Sequence, residues 1–401
     1  MVKQRPLYKV SLAILLLTQL VSALPIDTGP LLSSLWFVWI FICIWYALLS
    51  LLENNAFKEN TFAILLLVFF VINAISFYIS PKQVQSFFVD VDTLVIFKSI
   101  TIALFSYFPF YYYTKHGYID TNNISGFVIL LFITSILNLL YSNFVQTQER
   151  MEEHNVLNQA YLFVQLIPLF FICCRGKKLY LLVAIAGLLI LWGSKRGAIL
   201  CLLVDFLVFF IYIMKEASWT KRYRGLALIL IIALVAIGLY YVLGDDFLRE
   251  RLLATGSDED KSGGIRNGRY LMLYSVFFNF SDTMEVIFGH GFAQTVTYGE
   301  GLAHQDWVEL LIDNGLVGFF FYVVLIIICI KNIRRCKNLP KNVKYALICS
   351  VLNWCLIATY SMVYTSRDAF IHFFTLGIIN GLIRRSETEG VLQNQQKVLL
   401  P

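Results

Sequence analysis

Long apolar segments recur along the whole 401-residue chain and are separated by short polar loops. Many of these segments run for roughly 17–22 residues, the length that a helix needs to cross the hydrocarbon core of a bilayer. Only 14% of the residues are charged and 58% are hydrophobic, whereas soluble domains carry about 25% charged residues. We therefore expect an all-α polytopic membrane protein without a soluble domain of ordinary size.

The apolar segments predict about twelve transmembrane helices. Their ranges are 10–24, 31–52, 61–79, 93–113, 124–144, 156–173, 179–194, 197–214, 225–243, 315–330, 343–361 and 369–383. On this basis the chain divides into four parts: membrane helices 1–9 (residues 1–243), an external loop (244–314), membrane helices 10–12 (315–385) and a cytoplasmic tail (386–401).

The distribution of Lys and Arg predicts the orientation. With the N-terminus inside, 21 of the 32 Lys and Arg residues lie in cytoplasmic segments and 10 in external ones. Short cytoplasmic loops normally carry this excess, so both termini are expected in the cytoplasm. The net charge of +6 is then explained by loops that orient helices, and we expect no nucleic-acid partner.

The longest segment between predicted spans, 244–314, is external in this topology. We expect a soluble charged stretch at Asp245–Arg269, a short interfacial helix at Tyr270–Phe280 and a Gly-rich turn at Phe288–Phe292. An amphipathic helix, Leu302–Asp313, is expected to run into the tenth span. Long loops on a membrane scaffold are where binding sites are usually built.

Polar residues that this topology places on the external side are the candidate site. They are Arg150, Asn158, Lys195, Arg196, Arg266, Arg269, His304, Gln305 and Asp306. Guanidinium groups bind phosphate bidentately and keep their charge, and a histidine can take a proton from an attacking hydroxyl. The alternative is that external arginines contact lipid headgroups or loop carboxylates.

Two charged residues, Lys98 and Asp205, fall inside predicted spans, and we expect them to pair with each other. The chain has no phosphate-binding loop for ATP and no His, Cys or carboxylate cluster with metal-ligand spacing. We therefore expect no cofactor and no metal.

Three segments resemble the O-antigen ligase and polymerase superfamily of bacterial envelope glycan assembly. The segments are Glu149-Arg150…Asn158-Gln159-Ala160, Gly193-Ser194-Lys195-Arg196-Gly197-Ala198 (a Ser-Arg-Gly-Ala break with one additional Lys), and Arg269…Phe288-Gly289-His290-Gly291 followed by His304-Gln305-Asp306-Trp307…Asp313-Asn314-Gly315-Leu316-Val317-Gly318. Their order, spacing and shared external side carry the resemblance, which covers roughly 149–325.

The resemblance implies a GT-C-like membrane fold and a metal-independent, inverting glycosyl transfer at the periplasmic face of the bacterial inner membrane. The donor would be a glycan on undecaprenyl diphosphate. Arg196 and Arg269 would hold the diphosphate, with Arg150, Arg266 and Lys195 assisting. His304 would be the general base, and Asn158 with Gln305 and Asp306 would contact phosphate or glycan. A chain-length regulator is suggested as a partner besides the glycan acceptor and membrane lipids.

Four functions remain open at this point, and three of them share glycosyl-transfer chemistry. A polymerase of O-antigen or capsular repeat units is favoured, an O-antigen ligase that transfers glycan to lipid A-core is the alternative, and a ligase to Ser or Thr side chains of proteins shares the chemistry. A secondary transporter belongs to another class, but its usual inverted repeat is not evident and the polar residues gather at one face.

Overall fold

The structure of the chain, a computed structural model, consists almost entirely of helices. It describes residues 5–24, 29–53, 60–85, 90–121, 123–150, 157–216, 261–280, 282–299 and 303–399. The helices before residue 217 are α1 (Arg5–Ser22), α2 (Gly29–Leu52), α3 (Thr61–Ile79), α4 (Thr93–Phe105), α5 (Tyr107–Lys115), α6 (Ser125–Arg150), α7 (Ala160–Cys173), α8 (Gly176–Trp192) and α9 (Arg196–Glu216).

The later helices are α10 (Lys261–Phe278), α11 (Thr283–Phe288), α12 (Thr295–Gly299), α13 (Asp306–Arg335), α14 (Lys341–Tyr360) and α15 (Phe370–Leu399). Two 3-10 helices, Cys336–Asn338 and Arg367–Ala369, flank α14. A small antiparallel sheet, which the sequence pattern did not predict, pairs β1 (Gln83–Gln85) with β2 (Asp90–Asp92).

Within the described ranges, seven helices are long and apolar enough to cross a membrane. Two shorter apolar helices, Leu7–Ser22 and Ala160–Cys173, lie beside them. The prediction of an all-α polytopic membrane protein is confirmed. The predicted span at 225–243 lies outside the described residues, so the total of twelve stays a prediction, but every other predicted span overlaps an observed helix.

Helices α5 and α15 pack closely against each other. Gly377 and Gly381 face α5, and a Cβ atom at these positions would lie 2.4 Å from the Tyr107 carbonyl oxygen and 2.7 Å from Thr114 Cβ. Small residues four positions apart let two helix backbones approach this closely. The hydrophobic effect does not hold helices together within lipid, so close packing of this kind stabilises the pair. The pair anchors the last helix against the middle of the chain.

The predicted pairing of Lys98 with Asp205 is wrong. Asp205 is fully buried in α9 and turns toward α14, where its Oδ1 accepts hydrogen bonds from Asn353 Nδ2 at 2.9 Å and Cys349 Sγ at 2.6 Å. Lys98 Nζ lies 4.5 Å from the centroid of the Phe37 ring. A buried carboxyl group needs hydrogen-bond donors, and neighbouring polar side chains supply them to Oδ1 here, in place of an ion pair.

Helix α13 bends sharply at Gly315, where φ is 61°. The bend frees two carbonyl groups of α13: the Ile312 oxygen accepts from the His290 N–H at 2.8 Å and the Asp313 oxygen from the Gly291 N–H at 3.1 Å. The turn after α11 is therefore bonded to the backbone of α13. A Cβ at Gly315 would lie 2.5 Å from the Ile287 carbonyl oxygen, so the contact tolerates only glycine.

Two helix starts in this region differ from the predictions. The helix expected at Tyr270–Phe280 begins at Lys261, and the amphipathic helix expected from Leu302 begins at Asp306. His304 has φ 54°, which is not helical, so the chain turns there before α13 starts. Of the predicted charged stretch 245–269, residues 245–260 lie outside the described part. The predicted tail from residue 386 continues α15 helically to Leu399.

Loops that were assigned to the same side of the membrane meet at the same end of the bundle. At one end, Glu53 accepts hydrogen bonds from Lys115 and from His116 (2.6 Å), and Arg335 binds Glu387. This agreement between unrelated loop contacts supports the predicted alternation of helix directions.

Candidate active site

A cavity of about 150 Å³ opens at the other end of the bundle, the end predicted to be external. It is lined by Asn158, Tyr161, Gln165, Lys195, His304, Tyr360, Ser361, Met362, Ser366 and Asp368. These residues come from four parts of the chain: the start of α7, the α8–α9 break, the turn before α13, and the connection from α14 to α15. Three of them, Asn158, Lys195 and His304, were predicted from the sequence.

The α8–α9 break is tied directly to the start of α7. The Leu157 N–H donates to the Gly193 carbonyl at 3.0 Å, and Ser194 turns the chain with φ 51° before α9 begins at Arg196. Asn158 and Lys195 are thereby held on the same cavity wall. The turn costs strain because a non-glycine residue at positive φ is disfavoured, and bonding to a neighbouring segment keeps it in place.

Gly197 explains how Tyr161 reaches the cavity. A Cβ atom at Gly197 would lie 2.1 Å from the Tyr161 hydroxyl oxygen and 2.9 Å from Tyr360 Cβ. Any larger residue in the first turn of α9 would push both tyrosines away. The glycine that follows Arg196 in the sequence motif therefore has a packing role in the cavity wall.

The backbone around His304 is fixed by the helix that follows it. The His304 N–H donates to Glu309 Oε1 at 3.1 Å, and Glu309 is buried in α13. The bond caps the strained turn at His304 and holds this half-buried residue at the cavity. A histidine in this position can exchange a proton with a group bound in the cavity.

The α14–α15 connection is held by Asp306, whose side chain is fully buried and is not part of the cavity lining. Both carboxyl oxygens lie 3.0 Å from the Val363 N–H, and Oδ2 also accepts the hydroxyl of Tyr322. The Tyr322 oxygen in turn accepts from Trp354 Nε1 at 2.6 Å. Asp306 thus positions the chain on either side of Val363, and its contact with substrate stays a prediction.

Seven of the ten lining residues were missed from the sequence, among them Gln165 and Asp368. Gln165 lies inside a predicted span, is 3% exposed, and its Oε1 has no hydrogen-bond partner in the described part of the chain. Asp368 lies in the 3-10 helix before α15, with Oδ1 3.9 Å from Arg367 Nε. A polar residue within an apolar run was the available signal for Gln165. Asp368 carries no comparable sequence signal.

The remaining predicted residues have different positions. Arg196 is the first residue of α9 and Gln305 precedes α13, and neither lines the cavity. Arg150 is the last residue of α6, and its side chain lies outside the described part. The side chains of Arg266 and Arg269 do too, although their backbone belongs to α10.

Helix α10 packs on the start of α13, beside the His304 turn. Leu273 and Phe277 of α10 are buried against Val308 and Ile312 of α13 in a hydrophobic cluster separate from the main core. Positions 266 and 269 are one turn apart on α10, and position 269 is one turn before Leu273. The packing therefore connects the helix that carries both arginines to the segment that carries His304.

Among the residues that the structure describes, no group of three or more His, Cys, Asp and Glu side chains is arranged to hold a metal ion. The functional groups at the cavity are an ammonium, an imidazole, a carboxylate, amides and hydroxyls. Helices α7 and α9 both begin beside the cavity, as does α13. Because the N-terminus of a helix carries a partial positive charge, the arrangement favours an anionic ligand.

Comparison with known proteins identifies a family for this region. Residues 181–323, about a third of the chain, match the O-antigen ligase family. The matched segment contains Lys195, Arg196, Arg269 and His304, and the match confirms the resemblance to the O-antigen ligase and polymerase superfamily. No curated protein matches the chain.

Proposed function

We propose that the chain is a membrane glycosyltransferase that polymerises undecaprenyl-diphosphate-linked oligosaccharide repeat units at the periplasmic face of the inner membrane. The family match indicates a glycosyl-transfer role in O-antigen assembly. The observation that carries the proposal is the convergence of Asn158, Lys195 and His304 on one cavity from separate segments of the chain.

The cavity suits the diphosphate of a lipid-linked donor. Lys195 supplies a positive charge, Asn158 an amide donor, and the starts of α7 and α9 add partial positive charge. Arg196 is adjacent in sequence, and Arg269 and Arg266 belong to the helix packed beside the His304 turn. Arginines at these places would neutralise the charge that develops on the leaving diphosphate, which is a major source of rate enhancement.

The size of the cavity limits what it can enclose. At about 150 Å³ it is well below the roughly 300–1,000 Å³ of pockets that enclose whole drug-sized ligands. It can hold a diphosphate or a single sugar, so the rest of a repeat unit must extend beyond it. This fits a substrate that is anchored by its lipid and whose glycan continues into the aqueous phase.

His304 is the proposed general base. A hydroxyl oxygen of the acceptor sugar attacks the anomeric carbon, its proton passes to the imidazole, and the bond from that carbon to the diphosphate oxygen breaks. Undecaprenyl diphosphate leaves with the bonding electrons, and attack from the opposite side inverts the anomeric carbon. No metal takes part in this scheme, because cationic side chains neutralise the diphosphate. Asp368 lines the same cavity and would orient the imidazole or the acceptor hydroxyl.

The test is transfer by the purified full chain supplied with one lipid-linked repeat unit. Lys195→Gln and His304→Gln should each lower the rate by about 100-fold or more, the scale of a lost phosphate contact or general base. Arg196→Ala and Arg269→Ala should abolish long-chain glycan in cells. The matched control is Lys178→Gln, an exposed lysine of α8 at the opposite end, which should act as wild type. Full activity of both Lys195→Gln and His304→Gln would refute the assignment of this cavity.

An O-antigen ligase is the second candidate, favoured by the description of the matched family. The same lipid-linked donor would then be transferred to lipid A-core. A gene deletion separates the two. Cells without a polymerase should still attach single repeat units to the acceptor, whereas cells without a ligase should attach none and should accumulate lipid-linked polymer.

A further inference from the structure

A second and larger cavity, of about 440 Å³, lies at the end of the bundle opposite the candidate active site. It is enclosed by α3, α5, α13 and α15. Part of its lining is apolar and consists of Leu65 on α3, Ile383 on α15, and Val324, Ile327 and Ile328 on α13. None of these residues takes part in the proposed glycosyl transfer.

The polarity of the cavity changes along one face of α13. Val324, Ile327 and Ile328 are followed by Lys331 and Arg335 at helical spacing, so the apolar wall ends in two cations. From Ile327 to Arg335 the helix rises about 12 Å. A ligand that matches this wall has a hydrocarbon part and, at one end, a negatively charged part.

A chain of buried amides and one phenol runs along the polar part of the cavity. Asn332 Nδ2 donates to Asn380 Oδ1 at 2.9 Å, Asn380 Nδ2 to the Tyr107 oxygen at 3.2 Å, and the Tyr107 hydroxyl to Asn60 Oδ1 at 3.0 Å. Asn60 Nδ2 is buried and has no hydrogen-bond partner in the described part of the chain. This amide N–H group remains available for an oxygen atom of a ligand.

Three cationic side chains, and no carboxylate, are among the residues that line the charged end of the cavity. Lys331, Arg335 and Arg384 line it, and Glu387 binds both Arg335, at 2.8 Å, and Arg384, at 3.3 Å. An anionic group in the cavity would therefore face three cations and no carboxylate among the residues that line it. Basic pockets between transmembrane helices bind the headgroups of anionic lipids for this reason.

The apolar wall of the cavity reaches the outer surface of the bundle. Ile327 lines it and is still 41% exposed, so the apolar wall continues onto the outer surface of a helix that is long enough to cross a membrane. A lipid can therefore enter from the bilayer without leaving the hydrocarbon phase.

We propose that this cavity binds an anionic glycerophospholipid of the leaflet next to it, with the phosphate held by Lys331, Arg384 and Asn60 and an acyl chain lying along Val324 and Ile327. The apolar-to-cationic order of the wall and its three lining cations select this occupant over a zwitterionic lipid. The site is independent of the proposed glycosyl transfer, since no residue of one cavity lines the other.

The experiment is native mass spectrometry of the purified full chain titrated with phosphatidylglycerol or with phosphatidylcholine of the same acyl composition. The double variant Lys331→Gln/Arg384→Gln removes two charges at nearly constant side-chain length. We expect its phosphatidylglycerol affinity to fall about 30-fold, roughly fivefold for each charge, with phosphatidylcholine binding unchanged. Ile327→Trp should weaken binding by filling the mouth while leaving every charge in place.

The matched control is Lys337→Gln/Lys344→Gln, which removes two exposed lysines at the same end that do not line the cavity. It should keep its phosphatidylglycerol affinity within about twofold of wild type. Equal losses in the two double variants would show general surface attraction and overturn the site. Equal affinity of the wild type for both phospholipids, or displacement of phosphatidylglycerol by an equimolar polyprenyl phosphate, would overturn the proposed ligand.

Discussion

Replacing Asp306 tests whether the cavity wall depends on a residue that does not itself line the cavity. In Asp306→Ala, two buried donors, the Val363 N–H and the Tyr322 hydroxyl, lose their acceptor. Each unsatisfied buried donor costs about 1–3 kcal/mol, so the free energy of unfolding should fall by about 2–6 kcal/mol. Asp306→Asn keeps one carbonyl oxygen, which can accept from one donor, and should lose about half of that.

The measurement is denaturant-induced unfolding in detergent micelles, followed by tryptophan fluorescence, together with the rate of glycosyl transfer. The transfer rate should fall in both variants even at temperatures where they remain folded, because Ser361 and Met362 beside Val363 line the cavity. A double-mutant cycle with Tyr322→Phe isolates the hydrogen bond between Tyr322 and Asp306. In the Tyr322→Phe background, Asp306→Ala should cost about 1–3 kcal/mol less, because the Tyr322 hydroxyl is no longer there to be left without an acceptor.

Glu309→Gln is the matched control, on the same helix and equally buried. Its amide oxygen can still accept the His304 N–H, so the free energy of unfolding should change by less than about 1 kcal/mol. If Asp306→Ala unfolds with the wild-type free energy, the carboxyl group does not hold the connection. If Asp306→Asn is as unstable as Asp306→Ala, the negative charge of Asp306 contributes more to the stability than its hydrogen bonds with the Val363 N–H and the Tyr322 hydroxyl.

Two further predictions concern the bend of α13 and the opposite end of the bundle. Gly315→Ala should lower the free energy of unfolding by about 2–5 kcal/mol, because it adds a positive-φ penalty to a Cβ contact at 2.5 Å with the Ile287 carbonyl oxygen. At Glu53, burial opposes the charge, but hydrogen bonds from His116 and Lys115 outweigh it and hold its pKa below the usual 4.5. A carboxylate with a lowered pKa stabilises the fold above its unfolded-state pKa, and this contribution disappears as the pH falls through the folded value. Below about pH 4.5 the Glu53→Gln variant should therefore lose less stability than the wild type does, as measured by thermal unfolding across pH 3–7.

Each of these predictions has its own control. Gly126→Ala places a Cβ where nothing lies within 4 Å, and it should unfold like the wild type, so a large effect there would discredit the packing explanation for Gly315. For Glu53, parallel curves of stability against pH for the wild type and the Glu53→Gln variant would show that the charged carboxylate contributes nothing to the stability of the fold.

The positions of the helices and the convergence of three candidate site residues on one cavity could be predicted from the sequence for the same reason. A bilayer requires long apolar runs, and alternating helix directions then determine which loops share a side. Asn158, Lys195 and His304 lie in three such loops, so their common position followed from topology. The sequence motif did not show which of Lys195 and Arg196 lines the cavity, and the structure gives Lys195.

Features that depend on contacts between distant residues could not be predicted. Asp306 follows two other candidates and resembles a site residue, but its partner Val363 is more than fifty residues away, and its burial follows only from that contact. The Lys98–Asp205 pair failed because sequence position does not show which neighbour a helix face meets. Asp205 faces α14, where amide and thiol donors replace the expected cation.

The candidate active-site cavity is built from four segments of the chain, and this has a consequence for biogenesis. The residues that line it lie between positions 158 and 368 of the chain. Half of them belong to the end of α14 and to its connection to α15. Transmembrane helices enter the bilayer in chain order as they leave the ribosome, so this wall is absent until the last two helices have been inserted. The cavity therefore forms at the end of synthesis, and a chain that stalls before residue 360 carries Lys195 and His304 without the surface that faces them.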